Sequence, residues 1–189
     1  NEGKDREFID EETRLLIIMS SSMYNKPLVE NFGGYWPEYN LFSEEYIQEE
    51  TLETYLDRNR NDIIDESKVD RWQMRWLHFI WSGIQAYQEF WFRTNYKLSI
   101  QPPCPSNLVI PKHDYKLGTT IISISKRKNI HSISEHFLSL YTDFIIRTEK
   151  KYPGLQHMSN WEVIFTATIQ ALKVKEGVIV LNRLKNDLL

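Results

Sequence analysis

The chain has 189 residues, 41% hydrophobic and 26% charged, with a formal net charge of −3: enough for one substantial core, and not the composition of a disordered, collagenous or disulfide-stapled protein. No apolar run approaches the roughly 20 residues of a membrane span, and lone Cys104 closes no internal disulfide, which favours an intracellular setting. The near-neutral total hides a polarity, because residues 1–66 carry 17 acids and 6 bases while residues 97–151 carry 9 bases and 4 acids. Such polarity is answered within the fold, by a partner, or by a polyanion on the basic part. We read residues 1–189 as a single helical domain, and the absence of methionine at Asn1 as pointing to a fragment of a longer protein or a processed product.

In chain order, Asp10 is the expected N-cap of a first helix whose opening turn holds Glu11 and Glu12, favourable at the positive end of the helix dipole. The run from Leu15 to Met19 keeps a strand open as the alternative. Residues 25–42, with Gly33-Gly34 and Trp36-Pro37, read as an irregular loop packed through Phe32, Tyr35, Trp36 and Tyr39. Ser43 is expected to cap a helix over 44–57, whose polar side carries Glu45, Glu49, Glu53 and Asp57. Like charges at i, i+4 cost about 0.2–0.5 kcal/mol per pair. Such a row invites a cation, inside or outside the molecule, and is the first candidate partner-binding face; a solvated acidic face is the plainer reading.

Residues 57–68, DRNRNDIIDESK, place Asp57, Asn59, Asn61, Ile64 and Asp65 at positions 1, 3, 5, 8 and 9 of an EF-hand calcium loop, which wraps a hard cation in alternating oxygens. Asp62 stands where that loop needs glycine, and Lys68 where it needs a bidentate glutamate. The segment therefore reads as an acidic connection between helices rich in turn-forming residues, and no metal is assigned to it.

The next element, residues 67–97, is predicted as the central helix, opened by Ser67 with Asp70 in a variant capping box. Val69, Trp72, Trp76, Ile80, Gly83, Tyr87 and Phe90 form one stripe at steps of three and four. Met74, Leu77, Trp81 and Phe92 form a second row, interrupted by Gln85 and Gln88, and a polar stripe runs from Arg71 through Ser82 to Arg93. Two apolar rows and one polar stripe mark a helix packed on both flanks. Trp72, Trp76, Ile80 and Tyr87 are assigned to the core. Trp81 and Phe92 are the side chains expected to reach a partner.

Gln101-Pro-Pro-Cys-Pro stops any helix. The segment 98–128 is predicted as a loop and strand insertion with a minor β hairpin near 108–125. Lys126, Arg127 and Lys128, extended by Lys112 and Lys116, are candidate phosphate contacts for a nucleic-acid-binding alternative over the basic 112–151 region. The sequence pI near 6.0 weighs against it. Ser132 with Glu135 is a capping box for a helix over 133–151 that ends in Arg147, Lys150 and Lys151, and Ser159 with Glu162 opens a further one. Residues 178–189 fit a strand or a terminal helix.

His131, Glu135 and His136 are spaced one residue longer than the inverted zincin pattern, and Glu135 already serves the cap. No G-x-S-x-G and no glycine-rich phosphate loop occurs. A hydrolase with a His/carboxylate site is accordingly the lesser alternative. The expectation is a mainly α, single-domain bundle of about five helices around the 67–97 helix, needing neither metal nor cofactor. Its expected role is noncatalytic: a scaffold or adaptor that binds another protein, with a basic surface if the acidic face is used, in the cytoplasm or nucleus and away from membranes.

Overall fold

Val69–Arg93 runs as one unbroken 25-residue helix: nothing within it interrupts the backbone ladder, and its apolar residues recur at helical steps and so give it a face to bury. The computed structural model describes residues 11, 13–15, 32–36, 41–44, 50–110, 120–121, 127–130 and 132–155, and these are mostly helical. Residues 11 and 13–15 are helical, as the Asp10 cap predicts. Strands β1 (Phe32–Trp36) and β2 (Leu41–Glu44) follow, then α1 (Leu52–Arg58) and α2 (Arg60–Ile63). A short 3-10 turn, Glu66–Lys68, leads into the central helix, α3. After β3 (Leu98–Ile100), β4 (Leu108–Val109), β5 (Thr120–Ile121) and β6 (Arg127–Asn129), helix α4 (Ile133–Ser139) continues through a π-helical segment, Leu140–Ile146, into α5 (Arg147–Lys151). Residues 133–151 are thus one rod, with the bounds expected from the sequence.

The predicted hairpin is present as the antiparallel pair β4–β5, Leu108 facing Ile121 and Val109 facing Thr120. Outside it, β3 pairs with β6, setting Ser99 opposite Lys128, so the predicted 98–128 insertion is built on two nested antiparallel pairs and closes one residue later, at Asn129. Four local expectations need correction. Within 25–42 the chain is not simply irregular: β1 pairs with β2 in antiparallel register, with a shift between Phe32 and Gly34. Ser43 consequently lies in a strand, and the cap of the next helix is Thr51, whose Oγ1 accepts from the Thr54 N–H at 3.1 Å. Nor does Ser67 cap α3. Asp65 Oδ1 instead accepts from the Ser67 N–H at 3.0 Å, satisfying an orphan donor of the 3-10 turn one step earlier. The Ser132 box forms on one side only: Ser132 Oγ accepts from the Glu135 N–H at 3.0 Å, while the Glu135 carboxylate takes the Lys128 ammonium.

Trp72, Trp76, Ile80 and Tyr87 are buried, as assigned. The 133–151 rod presses Phe144 between two of them, its ring centroid 5.9 Å from that of Trp76 and 5.8 Å from that of Tyr87. Gly83 makes room for it, since a Cβ at that position would lie 2.6 Å from Phe144 Cζ and 2.9 Å from Leu108 Cδ1. Gly83→Ala should therefore destabilise: alanine gains about 1 kcal/mol of helix propensity, but forcing a methyl into this seam costs about 1–3 kcal/mol. A lower urea midpoint at unchanged m-value is the expected result, and a midpoint at or above that of the parent would show that the seam has slack.

Candidate functional site

Glu53 and Asp57 stand one turn apart on α1, and the cation their row invites comes from within the molecule. Lys151 Nζ lies 2.8 Å from Glu53 Oε1 and 3.2 Å from Asp57 Oδ2, and the Tyr152 hydroxyl donates to Asp57 Oδ1 at 2.8 Å. The Tyr152 bond, with help from Lys151 and against some desolvation, holds the Asp57 carboxyl below its ordinary value. Burial opposes charge on Lys151, but its bonds to Glu53, Tyr152 and Asp57 together raise the ammonium above its usual range. Glu45 and Glu49, the other two members of the row, lie outside the described residues.

The calcium-like segment is built unlike a calcium loop. Most of 57–63 is helical, so its alternating oxygens spiral apart instead of converging. Lys68 Nζ bridges Asp62 Oδ1 at 2.9 Å and Asp65 Oδ2 at 3.3 Å, a tethered ammonium among the carboxylates. Among the described residues no group of three or more His, Cys, Asp or Glu is placed to hold a metal ion.

Of the basic patch, Arg127 turns inward, its side chain 7% exposed and Nη2 3.2 Å from Glu11 Oε2. Lys128 is exposed and pairs with Glu135 at 3.0 Å. Lys112, Lys116 and Lys126 lie outside the described residues. On the second row of α3, Trp81 and Phe92 are partly buried and packed against the core, Leu77 is half-buried, and Met74 is 62% exposed. No helix among the described residues is long and apolar enough to cross a membrane.

The structure also assembles a polar cluster that the sequence reading did not single out. His136 on α4 is 0% exposed; its Nδ1 lies 2.9 Å from Ser99 Oγ on β3, and its ring stacks on Trp91 of α3 at 4.6 Å between centroids. Nearby, the Ser139 hydroxyl lies 3.0 Å from Gln101 Oε1 and 3.2 Å from Asp143 Oδ2. Among the described residues, His136 Nε2, Trp91 Nε1 and both amide atoms of Gln88 are buried without a hydrogen-bond partner. The available signal was spacing: His136 falls among Ile133, Phe137 and Leu140 on the apolar side of its helix, and Gln88 falls on the Trp81–Phe92 row. Ser99 with His136 supplies two members of a nucleophile–base–orienter arrangement. Among the described residues no carboxylate bonds Nε2 to complete it, and Ser99 is itself buried. As built, the pair fastens β3 to α4.

No family model, curated protein or solved structure matches this chain.

Burial pushes the His136 imidazole down to about 3, far below the value of about 6.5 it would have in the unfolded chain. Between those values the unfolded chain binds a proton that the folded one refuses, so stability falls as pH falls through that window. From pH 6.5 to pH 5 the expected loss is about 2 kcal/mol, in a range above most carboxylate titration. Denaturation across that interval should show the slope in the parent and a flatter profile in His136→Gln; identical slopes would mean that His136 is not held neutral by burial.

Proposed function

We propose that this chain is a noncatalytic protein–protein interaction domain, a scaffold or adaptor within an intracellular assembly, and that it meets its partner through the second row of α3. The observation that carries the reading is the outer half of that row. Met74, Leu77 and Trp81 follow one another at steps of three and four on a single 25-residue helix, with Met74 open to solvent and Trp81 braced against the core. Methionine and aromatic residues are enriched where interfaces are most buried, and a ring already held by its own core loses little entropy on docking.

Charge supports the choice of this face over the acidic one. Glu53 and Asp57 are engaged by Lys151, and Arg127 and Lys128 by Glu11 and Glu135, so part of the polarity in the sequence is already consumed in folding. A partner recognised mainly through those groups would first have to break intramolecular pairs. The closed Ser99–His136 pair gives no comparable support to a hydrolase.

Met74→Lys tests the reading cleanly, since a surface substitution at this position should change stability by no more than about 0.5 kcal/mol. Quantitative pull-down of the co-purifying partner should drop by about 30-fold if Met74 and Trp81 form a hot spot worth about 2 kcal/mol. Undiminished recovery with both Met74→Lys and Trp81→Ala, together with loss on charge reversal at Glu45 and Glu49, would move the interface to the acidic face.

A further inference from the structure

Among the described residues, Gln88, Trp91 and His136 carry buried polar atoms that have no hydrogen-bond partner. Gln88 and Trp91 are one turn apart on α3, where residues at i and i+3 are surface neighbours, and the His136 ring lies stacked on the Trp91 indole. All three side chains are essentially sealed from solvent, Gln88 and His136 at 0% exposure and Trp91 at 2%. Their unpartnered atoms are the Gln88 Nε2 and Oε1, the Trp91 Nε1 and the His136 Nε2.

The chemistry of these atoms is mixed. The indole N–H only donates, the Gln88 amide both donates and accepts, and His136 Nε2 accepts when Nδ1 carries the proton toward Ser99. Among the described residues the charges around it are already engaged: His136 is held neutral, Arg93 and Glu89 bond each other at 2.9 Å, and Asp143 takes the Ser139 hydroxyl at 3.2 Å and Arg147 at 3.3 Å. The row to which Gln88 belongs carries Leu77, Trp81 and Phe92 beside half-buried Gln85, so a leucine or methionine at the fully buried position 88 would bury without penalty. An orphaned glutamine at such a step costs its desolvation, whereas a served one does not.

We propose that Gln88, Trp91 and His136 form an internal binding site for ordered water, which bridges the indole N–H, the amide and the imidazole Nε2. Water is the ligand class that meets these demands together: it is small, neutral, donates and accepts, and binds in protein interiors through about three hydrogen bonds. The site joins α3 to α4 at the place where the Ser99–His136 bond also reaches β3. It stands independently of the proposed partner surface.

The test is water-to-indole cross-relaxation measured by NMR on the full chain, with the Trp91 Nε1–H resonance assigned by its disappearance in Trp91→Phe. Nuclear and rotating-frame Overhauser cross-peaks to water of opposite sign are expected at that proton, the signature of a water tumbling with the protein. In Gln88→Met the cross-peak should vanish and the Tm should fall by about 3 °C, because one leg of the bridge is lost. Absence of the cross-peak in the parent overturns the proposal. A higher Tm for Gln88→Met also overturns it, since removing a genuinely unpaired amide would stabilise.

Discussion

The contact on which the fold depends is the seat of Phe144 against α3 at Gly83. A glycine in mid-helix costs about 1 kcal/mol relative to alanine, whereas burying a large ring contributes about 1.5–3 kcal/mol. Phe144 also meets Trp76 and Tyr87, so the exchange favours the close approach. The π-helical segment Leu140–Ile146 serves the same seam. Its bonds reach five residues instead of four, and the wider turn lets Leu140, Phe144, Ile145 and Glu149 all be buried. That phase brings Glu149 Oε1 to 3.0 Å from Trp76 Nε1, giving a buried indole its acceptor.

Electrostatics then reinforces an arrangement that packing has chosen. Lys151 of the basic segment meets Glu53 and Asp57 of the acidic one, and Arg127 meets Glu11. The charge asymmetry along the chain thus acts partly as an address between halves. The exposed Lys151 pairs are worth about 0–1 kcal/mol each, so they select a docking register more than they hold it. Asp57 contributes at neutral pH, where its lowered carboxyl is ionised, and loses that contribution as pH falls through its folded value.

Burial of the Trp72–Phe90 stripe of α3 was legible because a 3.6-residue period repeated over several turns outweighs any single exception, whereas Ser82 and Arg93 of the polar stripe are buried as well. The 133–151 rod was legible for the same reason, with Ser132 before it and Pro153 after it. What escaped the reading was pairing at long range. β6, Arg-Lys-Asn, has no apolar alternation and reads as a charged surface, yet it pairs with β3 across an intervening hairpin. Gly33-Gly34 and Trp36-Pro37 punctuate the chain as a loop does, which obscured the β1–β2 pair. His136 was hidden by its neighbours. Beside Glu135 it looks like half of a metal motif, although the helix sends Glu135 to Lys128 and His136 into the core.

The end of α3 shows how backbone strain can position buried chemistry. Asn95 and Tyr96 have φ of 54° and 61°; the first is an accepted αL residue at a helix C-terminus, but the second is bulky and pays of order 1–3 kcal/mol for that conformation. The bonds from Tyr96 N–H to Trp91 C=O and from Asn95 N–H to Phe92 C=O form the reverse turn that ends the helix, and the Tyr96 ring packs edge-on against Trp91 at 5.0 Å and Phe92 at 5.8 Å. Thr94 fixes the exit, donating to Trp91 C=O and accepting from the Leu98 N–H. The chain therefore doubles back after a fixed number of residues, which leaves Ser99 opposite His136 and keeps the imidazole on the Trp91 indole. Relaxing Tyr96 to an extended conformation would redirect β3 and separate Ser99 from His136. The strained turn and the closed polar cluster are one construction.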